Sequence, residues 1–212
     1  MHAYSELYLG NARRAMASML QNAVYAAGLD LKTYYDAFLH STISKLFETG
    51  VPRIVSGKSG VELMYEVLEE SGLIGKDGER RQWEGTDRTP EYWTGYSLAY
   101  YQWSCGLSFS RINEIADIDR ICSMYNPYHE MDITKFVDRM EDFRHDESLM
   151  TRLKKYRELI GLSQGALAEE TGISVRTIQN FEQRRKDINK AAFDTVVTLS
   201  RALHCKPEDL ME

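Results

Sequence analysis

Apolar positions recur with the spacing of an amphipathic α-helix along nearly the whole chain, and only residues 51–57 look briefly extended. Over the first two thirds of the chain, the pattern predicts helices at residues 4–27, 30–48, 59–72, from 90 onward, 110–124 and 132–144. Thr89 and Pro90 form a typical helix start, an N-cap followed by proline at the first helical position. Residues 75–89 are polar and aperiodic, which indicates a loop. The pattern therefore predicts an all-α protein.

Four aromatic residues follow one another on the helix that begins at Pro90. Trp93, Tyr96, Tyr100 and Trp103 are spaced i, i+3, i+7 and i+10, so they share one helix face. Aromatic side chains bury a large apolar area, and we therefore expect this stripe to belong to the core. The alternative is that the stripe lines a ligand pocket or a partner surface.

The aromatic, acidic pattern ends near residues 143–150, where a new helix is predicted. Leu149, Leu153, Tyr156 and Ile160 form a single apolar stripe on this helix, and Ser148 or Asp146 is expected to cap it. We therefore predict two helical domains, residues 1–146 and residues 147–212.

Charge is distributed unevenly between these two domains. The 212 residues carry a net charge of -6, which by itself argues against binding to a polyanion. Residues 1–146 hold 15 Lys and Arg against 22 Asp and Glu (15 − 22 = −7), whereas residues 151–190 hold 9 against 5 (9 − 5 = +4). The positive charge is therefore concentrated in one short part of the second domain.

Within that basic region, residues 161–186 have the spacing of two capped helices joined by a tight turn. Ser163 can cap the first helix and Ser174 the second, and Gly172 supplies the turn between them. Leu167 and Ile178 fall on the inner sides of the two helices. This arrangement predicts a helix-turn-helix.

The second of these helices has a polar face opposite its apolar one. A helical wheel directs Thr177, Ile178 and Phe181 inward. The outward face carries side chains suited to reading base edges, namely Val175, Arg176, Gln179 and Asn180. Beyond the helix, a basic cluster is placed to contact DNA phosphates, namely Arg184, Arg185 and Lys186.

Residues 149–211, and above all "GLSQGALAEETGISVRTIQNFE", resemble the Cro/C1-type (XRE family) helix-turn-helix domain. The resemblance implies a five-helix domain that binds double-stranded DNA, generally as a homodimer on an inverted-repeat operator. It also implies that Arg157 pairs with Glu182 and that Gln164 contacts a phosphate. Arg184 departs from the family pattern, because a glycine is common at its position. An arginine there must adopt a left-handed conformation or continue the helix.

The first domain resembles a different group of proteins. The stretches "YSELYLGNARRAMASML", "RTPEYWTGYSLAYYQW" and "MYNPYHEMDITKFVDRM" are similar to uncharacterised bacterial antitoxin-like proteins. This resemblance implies a toxin-neutralising domain and a partner toxin, which in some of these systems is ADP-ribosyltransferase-like. An acidic surface suits a basic partner. No individual functional residue transfers with the resemblance.

No sequence motif indicates catalysis, a cofactor or a metal site. "GKS" at residues 57–59 lacks the earlier glycine of a phosphate-binding loop, since residue 52 is proline. The histidines and the three cysteines have no metal-ligand spacing. No apolar run suits a signal peptide or a membrane span, so we expect a cytoplasmic protein without a membrane partner. Two alternatives stay open: a ligand-responsive regulator with an aromatic small-molecule pocket, and an enzyme tethered to DNA.

Overall fold

The computed structural model of the chain describes residues 2–74, 80–85 and 87–212, with the side chains of 147–149 outside that description. The described residues form helices and no strand, so the predicted all-α class is confirmed. They divide into two compact units, Met1–Phe143 and Arg144–Glu212. None of the described helices has both the length and the apolar character needed to span a bilayer.

The first unit is built from α-helices preceded by a short 3-10 turn at Glu6–Tyr8. These helices are α1 (Leu9–Tyr25), α2 (Leu31–His40), α3 (Thr42–Glu48), α4 (Pro52–Val55), α5 (Gly60–Glu70), α6 (Pro90–Cys105), α7 (Phe109–Ile115), α8 (Ile118–Ser123), α9 (Tyr125–Tyr128) and α10 (Ile133–Leu149), the last of which continues past Phe143.

Helix α1 is the centre of this unit and packs against both α5 and α6. Two glycines allow this close approach. A Cβ atom at Gly60 would lie 2.4 Å from the Ala15 carbonyl oxygen, and one at Gly95 would lie 2.6 Å from the Met16 carbonyl oxygen. Larger residues would force the helices apart, so both glycines are required for the packing.

Local capping signals set where the helices of this unit begin. Thr89 accepts a hydrogen bond from the Tyr92 amide at the start of α6, as predicted. Ser41 caps α3 in the same way, and this cap divides the predicted helix 30–48 into α2 and α3. The expectation that residues 51–57 are extended is wrong. Pro52 begins the short helix α4, where proline suits the first helical position.

Parts of the predicted loop 75–89 lie outside the described residues, namely 75–79 and 86. The remaining residues of that stretch, 80–85 and 87–89, lie outside any helix, as the sequence predicts.

The sequence predicts that the aromatic stripe of α6 belongs to the core, and this prediction is wrong for most of the stripe. Trp103 is buried, but Trp93, Tyr96 and Tyr100 are only half-buried. The fully buried face of α6 carries Thr94, Ser97, Leu98 and Tyr101. Because α6 has apolar or aromatic residues on nearly every side, its spacing alone does not determine which face packs inward.

Beyond the end of α10, the second unit contains four α-helices and two 3-10 turns. Its elements are α11 (Arg152–Leu159), α12 (Gln164–Thr171), α13 (Val175–Glu182), a 3-10 turn at Ile188–Lys190, α14 (Phe193–Ala202) and a 3-10 turn at Pro207–Leu210. Its core is a cluster of buried apolar side chains, namely Leu153, Leu167, Ile178, Phe181, Ile188, Val196, Leu199, Ala202, Leu203 and Leu210.

Helix α11 begins later than predicted. Neither Asp146 nor Ser148 begins it, because α10 continues to Leu149; the side chains of Ser148 and Leu149 lie outside the described residues. Thr151 is the N-cap instead, and its hydroxyl accepts a hydrogen bond from the Lys154 amide at 3.3 Å. At the far end of α11 the predicted stripe weakens, since Ile160 is 36% exposed.

Candidate nucleic-acid interface

Helices α12 and α13 are joined by the tight turn that the sequence predicts. Gly172 has φ 71°, in the left-handed region, and its amide donates to the Ala168 carbonyl at 2.9 Å. Ser163 caps α12 through the Ala166 amide at 3.0 Å, and Ser174 caps α13 through the Thr177 amide at 3.1 Å. Three local signals therefore fix the two helix starts and the turn between them.

Helix α13 is held against the core by its inner face. Ile178 is fully buried and Phe181 is 6% exposed, as the helical wheel predicts, while Thr177 is half-buried. Leu167 of α12 belongs to the same apolar cluster. This packing determines which side of α13 remains in contact with solvent.

The opposite face of α13 carries the four residues that the sequence assigns to base reading. Val175 and Arg176 are exposed, and Gln179 and Asn180 are half-buried. Together they place one cation, two amides and one small apolar group on a single surface. These are the groups that can pair with guanine, pair with adenine and contact a thymine methyl in the major groove.

Gln179 is connected to a chain of hydrogen bonds that runs into the core. Its Nε2 donates to Gln164 Oε1 at 3.2 Å, and Gln164 Nε2 donates to Glu182 Oε2 at 2.7 Å. Gln164, which the resemblance assigns to a phosphate, therefore already has two partners within the domain. The same contacts fix its position next to the outward face of α13.

The chain of hydrogen bonds ends at a buried ion pair. Arg157 donates from Nε to Glu182 Oε1 at 2.6 Å and from Nη2 to Glu182 Oε2 at 3.0 Å. Arg157 also donates from Nη1 to the Leu162 carbonyl at 2.7 Å. The hydrogen bond to Glu182 raises the pKa of Arg157, which keeps its guanidinium charged. The pair links α11 to the end of α13.

The basic cluster after α13 divides into two parts. Arg184 has φ 54°, so the arginine at the usual glycine position adopts the left-handed conformation. Its Nη2 donates to Glu212 Oε2 at 2.9 Å. Arg185 and Lys186 are exposed, and neither has a carboxylate within 4.0 Å among the residues that the structure describes. These two cations therefore face solvent just beyond the end of α13, where the Lys186 amide donates to the Asn180 carbonyl at 3.0 Å.

Sequence reasoning missed the contacts that Glu212 makes. Its carboxylate accepts from the Arg152 amide at 2.8 Å and from Arg184, and its amide donates to Asn189 Oδ1 at 3.0 Å. These contacts connect the start of α11 to the segment that follows α13. A lone glutamate outside any periodic pattern gave no signal of this role.

Residues 153–210 match the family described as helix-turn-helix. No curated protein and no solved structure matches the chain. The family match covers the capped helix pair, the buried Arg157–Glu182 pair and the outward polar face of α13. Residues 153–210 are therefore a helix-turn-helix domain of the Cro/C1 type, within a family of DNA-binding regulators.

Proposed function

We propose that this chain is a sequence-specific transcription regulator that inserts α13 into the major groove of DNA. The observation that carries this proposal is the outward face of α13, with Arg176, Gln179 and Asn180 on a surface that the core does not use. Arg185 and Lys186 are exposed just beyond α13 and supply positive charge for phosphates. The acidic character of the whole chain does not oppose this role, because its negative charge lies mainly in residues 1–146.

The operator is expected to be an inverted repeat bound by a homodimer. Helix α13 has 8 residues and can contact only a few base pairs, so two copies are needed for useful specificity. Two symmetry-related helices would meet half-sites about 34 Å apart. Selection of bound sequences from random DNA, followed by footprinting, tests whether the operator is an inverted repeat. Recovery of a single half-site without a repeat would contradict the dimer.

The first unit is proposed to neutralise a partner toxin, so that the chain acts as an antitoxin that represses its own operon. Two observations support this role: the resemblance of that region to antitoxin-like proteins, and the net charge of −7 over residues 1–146, which suits a basic partner. An ADP-ribosyltransferase-like toxin is the partner class that the resemblance favours.

Co-expression of the full chain with the product of the neighbouring gene tests the antitoxin role. If that product is toxic, the full chain should restore growth. A variant with Arg176→Ala and Asn180→Ala should restore growth equally well, because DNA reading and neutralisation would reside in different units. A neighbouring product that is harmless, or protection that is lost in the double variant, would contradict the proposal.

A further inference from the structure

The first unit contains a cavity of about 370 Å³ beside the half-buried aromatic face of α6. Helix α6 contributes Tyr92, Trp93 and Tyr96, and the segment around α9 contributes Tyr125 and His129. Small-molecule sites have volumes of roughly 300–1,000 Å³ and walls rich in aromatic side chains. The cavity lies at the small end of this range, which suits a ligand with one ring or two fused rings.

The aromatic walls of this cavity are held in place by contacts with one another. The Tyr125 ring stacks on the His129 ring with centroids 4.1 Å apart and planes 10° apart. Trp93 meets Tyr125 edge-on at 5.9 Å and Phe136 edge-on at 5.5 Å. Rings with fixed orientations lose little side-chain freedom when a flat ligand binds against them.

Arg13 supplies a cation at this cavity. Its guanidinium carbon lies 3.7 Å from the centroid of the Tyr96 ring and 4.8 Å from that of Tyr100, and its Nε donates to the Tyr96 carbonyl at 3.3 Å. Arg13 is half-buried, and no carboxylate of the described residues lies within 4.0 Å of it. Burial lowers the pKa of Arg13, because desolvation disfavours its charged form.

The charge around the cavity is opposite to that of the surrounding unit. The cavity is lined by two cationic residues, Arg13 and Arg88, and by one anionic residue, Asp132, so its lining has a net charge of +1 (2 − 1). Residues 1–146 as a whole have a net charge of −7. The Asp132 carboxylate is already occupied, since it accepts from the Thr134 amide at 2.9 Å and from the Thr134 hydroxyl at 2.7 Å. Ser97 also lines the cavity, and its buried hydroxyl has no hydrogen-bond partner among the described residues. An anionic ligand would complete the pairing of Arg13.

We propose that this cavity binds a small planar aromatic anion, with the ring among the aromatic side chains and the carboxylate on Arg13. A guanidinium positioned in advance by two tyrosine rings can present two N–H groups to one carboxylate. The inference concerns the first unit alone and does not depend on the proposed DNA binding.

Titration calorimetry on the full chain tests the proposal with two probes of the same shape, indole-3-carboxylate and its neutral amide, indole-3-carboxamide. The carboxylate should bind at least about tenfold more tightly, because a charge-assisted hydrogen bond is worth more than a neutral one. In Arg13→Gln this preference should disappear. Arg14→Gln is the matched control, because Arg14 is the exposed neighbour on α1 and does not line the cavity.

Nuclear magnetic resonance locates the binding site independently, because carboxylate binding should shift the indole N–H signal of Trp93, assigned with Trp93→Phe. Equal affinity for the two probes, no saturable binding at millimolar concentration, or the same loss in Arg14→Gln would overturn the proposal. If Arg13→Gln does not fold, the affinity ratio of the two probes on the unaltered chain and the shift of the Trp93 signal still decide the proposal. Equal affinities, or a Trp93 signal that does not move, would then count against the site.

Discussion

The Arg157 guanidinium and the Glu182 carboxylate form a two-point hydrogen-bonded pair, at 2.6 and 3.0 Å, although 25 residues separate them in sequence. Each residue is 7% exposed. Glu182 also accepts a hydrogen bond from Gln164, which in turn accepts one from Gln179 on the outward face of α13. The pair therefore connects the packing of the domain to the position of Gln179, a side chain that we propose reads base edges.

Substitution Glu182→Ala should destabilise the second unit by about 3–5 kcal/mol, because it removes the buried carboxylate that pairs with Arg157 and leaves only the exposed Glu158, at 3.4 Å. A change of that size should lower the melting temperature of this unit by more than about 10 °C. Calorimetry of the full chain measures it. Glu170→Ala is the control, because Glu170 is exposed on α12. If Glu182→Ala and Glu170→Ala have the same melting temperature, the Arg157–Glu182 pair contributes little to stability.

The left-handed conformation of Arg184 predicts an unusual order of stability among its variants. Arg184→Gly and Arg184→Ala both remove the ion pair with Glu212, but only alanine retains the steric cost of φ 54°. The glycine variant should therefore be more stable than the alanine variant by about 1 kcal/mol, the cost of a left-handed residue that carries a Cβ. Chemical denaturation of both variants under the same conditions measures the difference. An alanine variant of equal or greater stability would show that the backbone relaxes at this position.

The second unit could be predicted from sequence in detail because its signals are local. Ser163, Gly172 and Ser174 each act within four residues of their own position, through hydrogen bonds at 3.0, 2.9 and 3.1 Å. The contacts of Glu212 with Arg152 and Arg184 join segments far apart in sequence, and no periodic pattern indicates them.

The first unit was less predictable because its ambiguities are settled by packing between helices. The spacing of the four aromatic residues correctly places them along one side of α6. The fully buried face is a different one, which carries Thr94, Ser97, Leu98 and Tyr101, because α1 packs against α6 at Gly95. The sequence also does not indicate Ser41 as a cap, since a serine within an apolar periodic stretch is compatible with a continuous helix.

Thr151 should contribute to stability as the cap of α11. Substitution Thr151→Ala removes the acceptor for the Lys154 amide and should cost about 1 kcal/mol. Thr198→Ala is the control, because Thr198 lies inside α14, where alanine is the better helix former. Chemical denaturation compares the two. Equal stability of the two variants would mean that water replaces the Thr151 hydroxyl at little cost.

The proposed interface would separate two kinds of DNA contact, and this separation can be measured. Arg176 lies on the outward face of α13, opposite the buried Ile178, whereas Lys186 lies beyond the end of that helix. Both are exposed cations without a carboxylate within 4.0 Å in the described part of the chain. A difference in their effects would therefore come from where they meet the DNA and not from any internal pairing.

Arg176→Ala should weaken operator binding by about 1–3 kcal/mol and relax the preference at one base-pair position, because a two-point contact with guanine is lost. Lys186→Ala should weaken binding to all sequences about equally and reduce the salt dependence by about one unit, because a single phosphate contact releases roughly one counter-ion. Salt titrations of both variants on operator and scrambled DNA measure these effects side by side. If Arg176→Ala weakens the two DNAs equally while Lys186→Ala affects only the operator, the roles are reversed, and α13 contacts the DNA through a different face from the one opposite Ile178.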